Sequence, residues 1–434
     1  MTAFLLAKVT LELRSPGGVA SPEQDTGSSG HIPLARTPAG DLHVPATSLA
    51  GSFRAHLGDR AVEFMGRAPE DEQVSSSALW FLGTSLVGPD PVVRARTAVD
   101  RVRGSAATSM LRRHEHLAVG TRVVVYLRLT DIALRDELLA ALATWAPVIG
   151  GGRTAGFGRA AVTKVQHQTV DLGTPEGRRL WLTSGGPDMF ADAGMALVDL
   201  PEPTEPTPVV DLAWSIVDGL HIGNGETVKR QGASDIATVI CDHDSVPFVP
   251  GSTWKGVLRS RCEFILRSLG APACSPSGLD GSKANPCGSC LICQAFGFVN
   301  GDIEPPARRG LLEFADSPIA DADVVAQPHV ALDRVFGGAR KNALFAQEVV
   351  RGGQLSLTVR ATDEVPPGIR ALLLLACYDI HYGFAGIGKS TTRGLGTLRL
   401  LDDDPEELRK RRADAIDVLT RALRSAKPEE VAAQ

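Results

Sequence analysis

Apolar and polar residues alternate along AFLLAKVTLELR (3–14), the two-residue period of a half-buried strand. A Gly/Ser/Pro-rich loop runs to about residue 30. LHVPATSLAGSFRAHLG then reads as a short strand, a proline (Pro45), the cap candidates Thr47 and Ser48, and a helix. The same phrasing returns in VPFVPGSTWKGVLRSRC, in the second half. RTAVDRVRGS (96–105) matches HVALDRVFGG (329–338). SMLRRHEHLAVGTRVVVYLRLT (109–130) matches NALFAQEVVRGGQLSLTVRAT (342–362). Each then runs into an apolar helix, DELLAALATWAPVIGG or PGIRALLLLACYDIHYG. Each helix ends in a glycine and cation turn, GGGRTAGFGR (150–159) or GIGKSTTRGLG (386–396), and a final strand. Matches in one order predict a tandem duplication with a period of roughly two hundred residues, hence two related domains.

The order strand, helix, two strands, helix, strand predicts an α+β chain of two tandem ferredoxin-like, RRM-like domains with inserted loops. The expected boundaries are 1–170, a Pro/Gly-rich extended connector at 171–210, 211–402, and a charged amphipathic helix at 403–434. A four-stranded sheet of this kind is also an RNA-recognition platform, although fold alone does not give function.

Composition narrows the chemistry. At 434 residues the chain can bury more than one core. Its net charge of −5 gives no global basic field, so any nucleic-acid site must be a local patch. No run of 18 apolar residues predicts a membrane span, and the alternating N-terminus lacks the basic region and cleavage signature of a signal peptide. The expectation is a cytoplasmic protein without a membrane partner.

Cys274, Cys287, Cys290 and Cys293 are spaced C-x12-C-x2-C-x2-C. Two-residue gaps aim neighbouring thiolates at one ion, and Pro286 and Gly288 permit the tight turn. Four thiolates with no open position predict structural Zn²⁺ within an insertion of the second domain. Cys241, Cys262 and Cys377 fall on apolar positions and read as core.

The stretch GLHIGNGETVKRQGASDIATVICDHDSVPFVPGSTWKGVLRSR (219–261) concentrates the other chemistry. It holds Asp235 between a glycine turn and a helix bearing Lys255, Arg259 and Arg261. Ser252 is expected as that helix's N-cap, and the free N–H groups behind it, with Lys255 one turn inside, suit a phosphate. GFAGIGKS (383–390) satisfies the P-loop expression, but it follows a helix and leads into a strand, so an ATP site is rejected. The two repeated turns share glycine plus a cation: Gly386, Gly388, Lys389 and Arg393 in one, Arg153 and Arg159 in the other. That pattern suits a sugar–phosphate chain. Basic residues also gather around both DR motifs: Arg94, Arg96, Arg101, Arg103, Arg112 and Arg113, then Arg334, Arg340, Lys341 and Arg351. Recurrence at one place in both copies predicts RNA contact, with Asp100 and Asp333 bracing the arginines. Asp242 and Asp244 read as a hairpin turn.

GLHIG, GASD, VPFVPGSTWKGVLR, CQAFG, ALDRVFGG and GIGKSTTRGLG together resemble the RAMP proteins of CRISPR systems, above all the backbone subunit of type III effector complexes. Two fused copies resemble a type III-D-like arrangement. The resemblance implies an RRM-like core lying along a guide RNA, with other CRISPR effector subunits and a single-stranded target RNA as partners. It implies a thumb hairpin near 334–346 and near 101–113. It adds Ser48, Lys255, Arg259, Arg101, Arg103, Arg153, Arg159, Arg334, Arg340, Lys341, Gly386, Gly388, Lys389 and Arg393 as RNA contacts. It also implies target cleavage by the aspartate of G-x-x-D, here Asp235, as a metal-dependent endoribonuclease using Mg²⁺ or a similar ion. Counting back from Pro45 in the first copy puts Gly30 where Asp235 stands, with His31 beside it and Asp25 five residues earlier. That copy is expected to bind RNA without cutting it. Two alternatives are a non-catalytic assembly subunit and a guide-processing ribonuclease relying on His31, His43, His114 and His116.

Overall fold

The structure is a computed structural model that describes residues 3–21, 30–67, 74–101, 105–184, 186–191, 194–202, 205–229, 235–274, 286–402 and 404–425. It divides into two units. The first comprises 1–94, 112–153 and 157–205, and the second 95–111, 154–156 and 206–434.

The first unit is built on β1 (Ala3–Leu13), α1 (Ala46–Leu57), β2 (Leu79–Val87), β3 (Val92–Asp100), β4 (Ser105–His116), β5 (Arg122–Leu129), α2 (Arg135–Ala143) and β6 (Ala160–Asp171). β3 and β4 pair as a hairpin outside the main sheet and run partly into the second unit. The main sheet has the order β2-β5-β1-β6 with antiparallel neighbours throughout. Numbering only its core strands, this is 2-3-1-4, the order that a split βαβ chain produces. Leu5, Val9, Leu11 and Leu13 of β1 enter the main core with Phe53 of α1 and Leu138 and Leu142 of α2.

The other face of β1 is apolar as well, and this changes the fate of the segment expected as an extended connector. Phe4 and Leu6 need cover, which comes from residues 175–195. α3 (Pro175–Thr183) starts with Thr174 accepting the Gly177 N–H and with proline in its first turn. Trp181 meets Phe4 edge-on at 5.2 Å. β7 (Ala196–Leu197) then adds to the sheet beside β6.

The second unit uses β8 (Val210–Ile216), β9 (Gly223–Val228), β10 (Ile236–Val239), α4 (Gly251–Ser268), α5 (Leu291–Phe296), β11 (Gly297–Val299), β12 (Ala307–Arg309) and β13 (Leu312–Phe314). They are followed by β14 (Asp323–Leu332), β15 (Ala339–Arg351), β16 (Gln354–Ala361), α6 (Pro367–His381), β17 (Leu398–Leu400) and α7 (Pro405–Ser425). Its core sheet runs β13-β16-β8-β17, antiparallel throughout and again 2-3-1-4. A second sheet, β9-β10-β15-β14, carries the long hairpin.

Trp254, Leu258, Cys262 and Leu266 recur at helical spacing on α4 and face the core. α6 is apolar nearly all round because it is covered twice. α4 lies on one side, and α7 closes the other with Leu408, Ala415 and Leu419. The C-terminal charged helix is therefore a packed element of the second unit.

Trp254 is fully buried, 6.1 Å from Trp214, and its indole N–H donates to the Ser317 hydroxyl at 2.9 Å. Trp254→Ala is expected to cost about 3–5 kcal/mol in urea unfolding, the range for a large ring removed from a packed core. Trp254→Phe should recover most of that loss.

Candidate nucleic-acid interface and metal centre

The glycine-rich turn after α6 is tied down by backbone alone. The Gly396 N–H donates to the Gly219 carbonyl at 2.7 Å, and the Lys389 N–H to the His221 carbonyl at 2.9 Å. Gly388 and Gly396 have φ of +88° and +86°, and a Cβ would stand 2.6 Å from the His221 carbonyl and 2.2 Å from that of Ile387. Only glycine tolerates both the left-handed backbone and the close approach. The turn thus lies on GLHIG, with Lys389 and Arg393 exposed at its surface. It closes in a three-residue 3₁₀ turn (391–393) and then β17. The helix start that cradles phosphate in a P-loop does not follow. In the first unit, the Arg159 guanidinium donates to Glu205 at 2.7 Å, and Arg153 is half-buried.

Asp235 is exposed and stands one residue before β10. Its carbonyl accepts the Ala346 N–H at 3.3 Å, and β10 then runs parallel to β15 with Ile236 opposite Ala346. Residues 232–234 lie outside the described residues. The first unit repeats this connection with glycine in place of aspartate. The Gly30 carbonyl accepts the Arg113 N–H at 2.7 Å, and His31 then pairs in parallel with Arg113 of β4.

The start of α4 differs from the sequence expectation. Its N-cap residue is Pro250, and Ser252 makes no side-chain cap. Instead the Gly251 N–H donates to the Asp316 carboxylate at 2.9 Å. A protein carboxylate already occupies the positive end of this helix, where a phosphate was expected. Ser48 likewise caps nothing: α1 has Pro45 at its N-cap, and the Ser48 N–H donates to the Pro45 carbonyl at 3.0 Å. In each case proline fixes an extended entry and moves the hydroxyl into the first turn.

One turn inside α4, the Lys255 ammonium donates to the Thr154 hydroxyl at 2.7 Å. Burial, with Arg259 nearby, lowers its pKa from 10.5 to about 8. Arg259 and Arg101 both turn inward onto Glu263. Their Nε atoms lie 3.0 Å from its two carboxylate oxygens, and Arg267 stands 3.8 Å away. Glu263 is only 1% exposed, so these arginines satisfy a buried charge. Nothing in the hydrophobic pattern singled out Glu263; its signal was its i,i+4 spacing from both Arg259 and Arg267.

Arg334 and Arg340 are exposed beside the hairpin tip. Arg103 and the Lys341 side chain lie outside the described residues. Asp333, expected to brace an arginine, caps the tip instead. Its carboxylate accepts the Val335 and Phe336 N–H groups at 2.8 and 3.0 Å. Those bonds hold its pKa below the usual carboxylate range. Two rings that sequence reasoning missed pair across the same hairpin, His329 on β14 and Phe345 on β15, with Arg393 above Phe345.

The four cysteines predicted to share an ion lie together. Their sulfurs fall within 4.8 Å of one another, and Cys274 stands 3.7 Å from Cys290 and 3.6 Å from Cys293. A tetrahedral ion about 2.3 Å from each sulfur sets neighbours about 3.8 Å apart, so the donor set fits a metal such as zinc. Backbone N–H groups of Cys287 and Cys290 point at the sulfurs of Cys274 and Cys287. Burial pushes the Cys287 thiol up, but bonds from Ser289 and the Cys290 N–H outweigh it and bring it down to about 6. Burial raises Cys274 and Cys293. Among the described residues, no other group of three or more His, Cys, Asp or Glu converges in this way.

Residues 215–399 match the family model of the RAMP superfamily. They cover the second core sheet from the end of β8 to β17, including the cysteine cluster, Asp235 and the glycine-rich turn. A RAMP domain suggests a CRISPR-associated RNA-binding subunit, and RAMP proteins can be ribonucleases. No curated protein matches the chain. Among the described residues, no helix is long and apolar enough to cross a membrane.

Treatment with a strong chelator is expected to release about one equivalent of Zn²⁺ per chain, read with a chromogenic dye. Cys290→Ser should abolish that release and lower the melting temperature. Lys255 gives a pH signature. Below pH 8 the fold bears a buried ammonium that the unfolded chain keeps in water. Between about 8 and 10.5 the unfolded chain binds more protons, so stability rises with pH. Lys255→Met should therefore gain stability over the parent below pH 8. The gain should shrink as pH rises towards 10.5, as followed by thermal melts across pH.

Proposed function

We propose that this chain is a backbone subunit of a type III CRISPR ribonucleoprotein, with two RAMP copies fused in tandem as in type III-D-like complexes. The copies lie along the guide RNA, and the second cuts the complementary target. The observation that carries this reading is the matched pair Gly30 and Asp235. Each carbonyl accepts an N–H from its hairpin strand just before a parallel pairing, and only the second position bears a carboxylate.

The chemistry needs little from the protein. RNA supplies its own nucleophile, the 2′-OH. A kink in the guide–target duplex turns one target nucleotide out and brings that hydroxyl in line with its phosphate. Asp235 takes the hydroxyl proton, the 2′-O–P bond forms, and the 5′-O–P bond breaks. The departing 5′-oxygen takes a proton from water, leaving a 2′,3′-cyclic phosphate and a 5′-OH. Leu332, Val335 and Phe336 at the hairpin tip are 63%, 85% and 87% exposed, an apolar wedge suited to opening a base step. Arg334, Arg340 and Lys389 grip the phosphates around it. Cys274, Cys287, Cys290 and Cys293 would hold Zn²⁺, which would clip the insertion shut as a closed structural site. Among the described residues Asp235 belongs to no group of three or more metal-binding side chains, so no step is routed through Mg²⁺.

Register divides the histidines of the guide-processing reading and leaves His114 and His116 together on one face, ring centroids 6.1 Å apart. His31 pairs with Arg113 and Ile32 with His114, so His31 and His114 project to opposite faces and cannot share one phosphate. The non-catalytic reading is separated by one variant. In the assembled complex, Asp235→Ala is expected to cut target RNA at least about 100-fold more slowly while binding guide as the parent does. Cleavage at every parental position and rate would remove the enzyme from this reading.

A further inference from the structure

The ring pair on the hairpin sheet stands in register with Asp235. His329 lies directly opposite Phe345 in the β14–β15 ladder, with ring centroids 5.1 Å apart and planes inclined by 21°. On the far side of Phe345 the ladder is parallel, with Ile236 opposite Ala346. One residue earlier, Asp235 falls opposite Phe345, joined through its carbonyl to the Ala346 N–H. Paired residues share a face, and faces alternate along a strand. Ile236 and Ala346 therefore turn to the buried side, at 6% and 8% exposure, while His329, Phe345 and Asp235 form a row on the other. Phe345 is 40% exposed there. Above it lies the Arg393 guanidinium, 6.0 Å from the ring centre and held by the Ser390 hydroxyl at 2.6 Å.

We infer that Phe345 is the seat for the nucleobase of the nucleotide presented to Asp235, with His329 stacked against the ring as its backing and Arg393 closing over the base. The separation suits this use. Stacked planes meet at about 3.5 Å, so a base between ring and guanidinium needs about 7 Å. Arg393 is exposed and must lift by only about 1 Å to admit it. Any base has a π-face, so the seat holds without reading sequence, as a guide-directed enzyme requires. A purine or pyrimidine fixed on Phe345 also fixes its ribose next to Asp235, the residue that leads into β10. The seat rests on the proposed RNA-binding role of this unit, and its test does not depend on cleavage.

The full-length chain is titrated into single-stranded RNA carrying 2-aminopurine. Stacking should quench the fluorescence with the parent protein. Phe345→Ala should lose most of the quench and weaken binding about 5- to 150-fold, and Phe345→Tyr should restore both. If Phe345→Ala quenches and binds like the parent, the seat is overturned. The same holds if Phe345→Tyr fails to restore what Phe345→Ala loses. If Asp235→Ala leaves cleavage by the complex intact while Phe345→Ala abolishes the quench, the cleavage reading fails and the seat stands.

Discussion

A carboxylate with almost no contact with water fixes much of the second unit. Glu263 faces inward from α4, and a buried charge survives only with close, well-directed partners. Arg259 supplies one from the same helix and Arg101 another from residues 95–111. This ion pair helps explain why a segment from the first half of the chain clusters with the second half. It also fixes the rotation of α4. With Glu263 and the apolar stripe of Trp254, Leu258 and Leu266 turned in, Lys255 must meet Thr154.

Much of the fold could be read from the sequence because it rests on periodicity. The alternation of 3–13 and the apolar runs of α4 and α6 are local signals, and matching stretches recur in one order in the two halves of the sequence. The segment after residue 171 was misread because Pro and Gly dominate its composition. Thr174-Pro175-Glu176 nonetheless spells a helix start, and the second apolar face of β1 needed cover. Hydroxyl caps at Ser252 and Ser48 failed because proline takes each N-cap position, and at α4 the partner that satisfies Gly251 is Asp316, 65 residues later.

The site was legible where chemistry sits in short motifs. Four cysteines at tight spacing and a glycine turn with its cations are written in a few consecutive letters. Charges proved harder. Arg101 and Arg259 look like phosphate ligands in a list of basic residues, yet each spends its guanidinium on Glu263. The row of His329, Phe345 and Asp235 could not be found along the chain, because it exists only across three strands, one of them paired in parallel.

The hairpin tip has a practical corollary for handling the molecule. Leu332, Val335 and Phe336 stand in water on a turn that the Asp333 carboxylate caps through the Val335 and Phe336 N–H groups. Neighbouring chains in a concentrated solution offer one another this greasy point, and self-association follows the same physics as wedging. On the proposed function, RNA seated on the hairpin would cover this point and keep the purified protein dispersed.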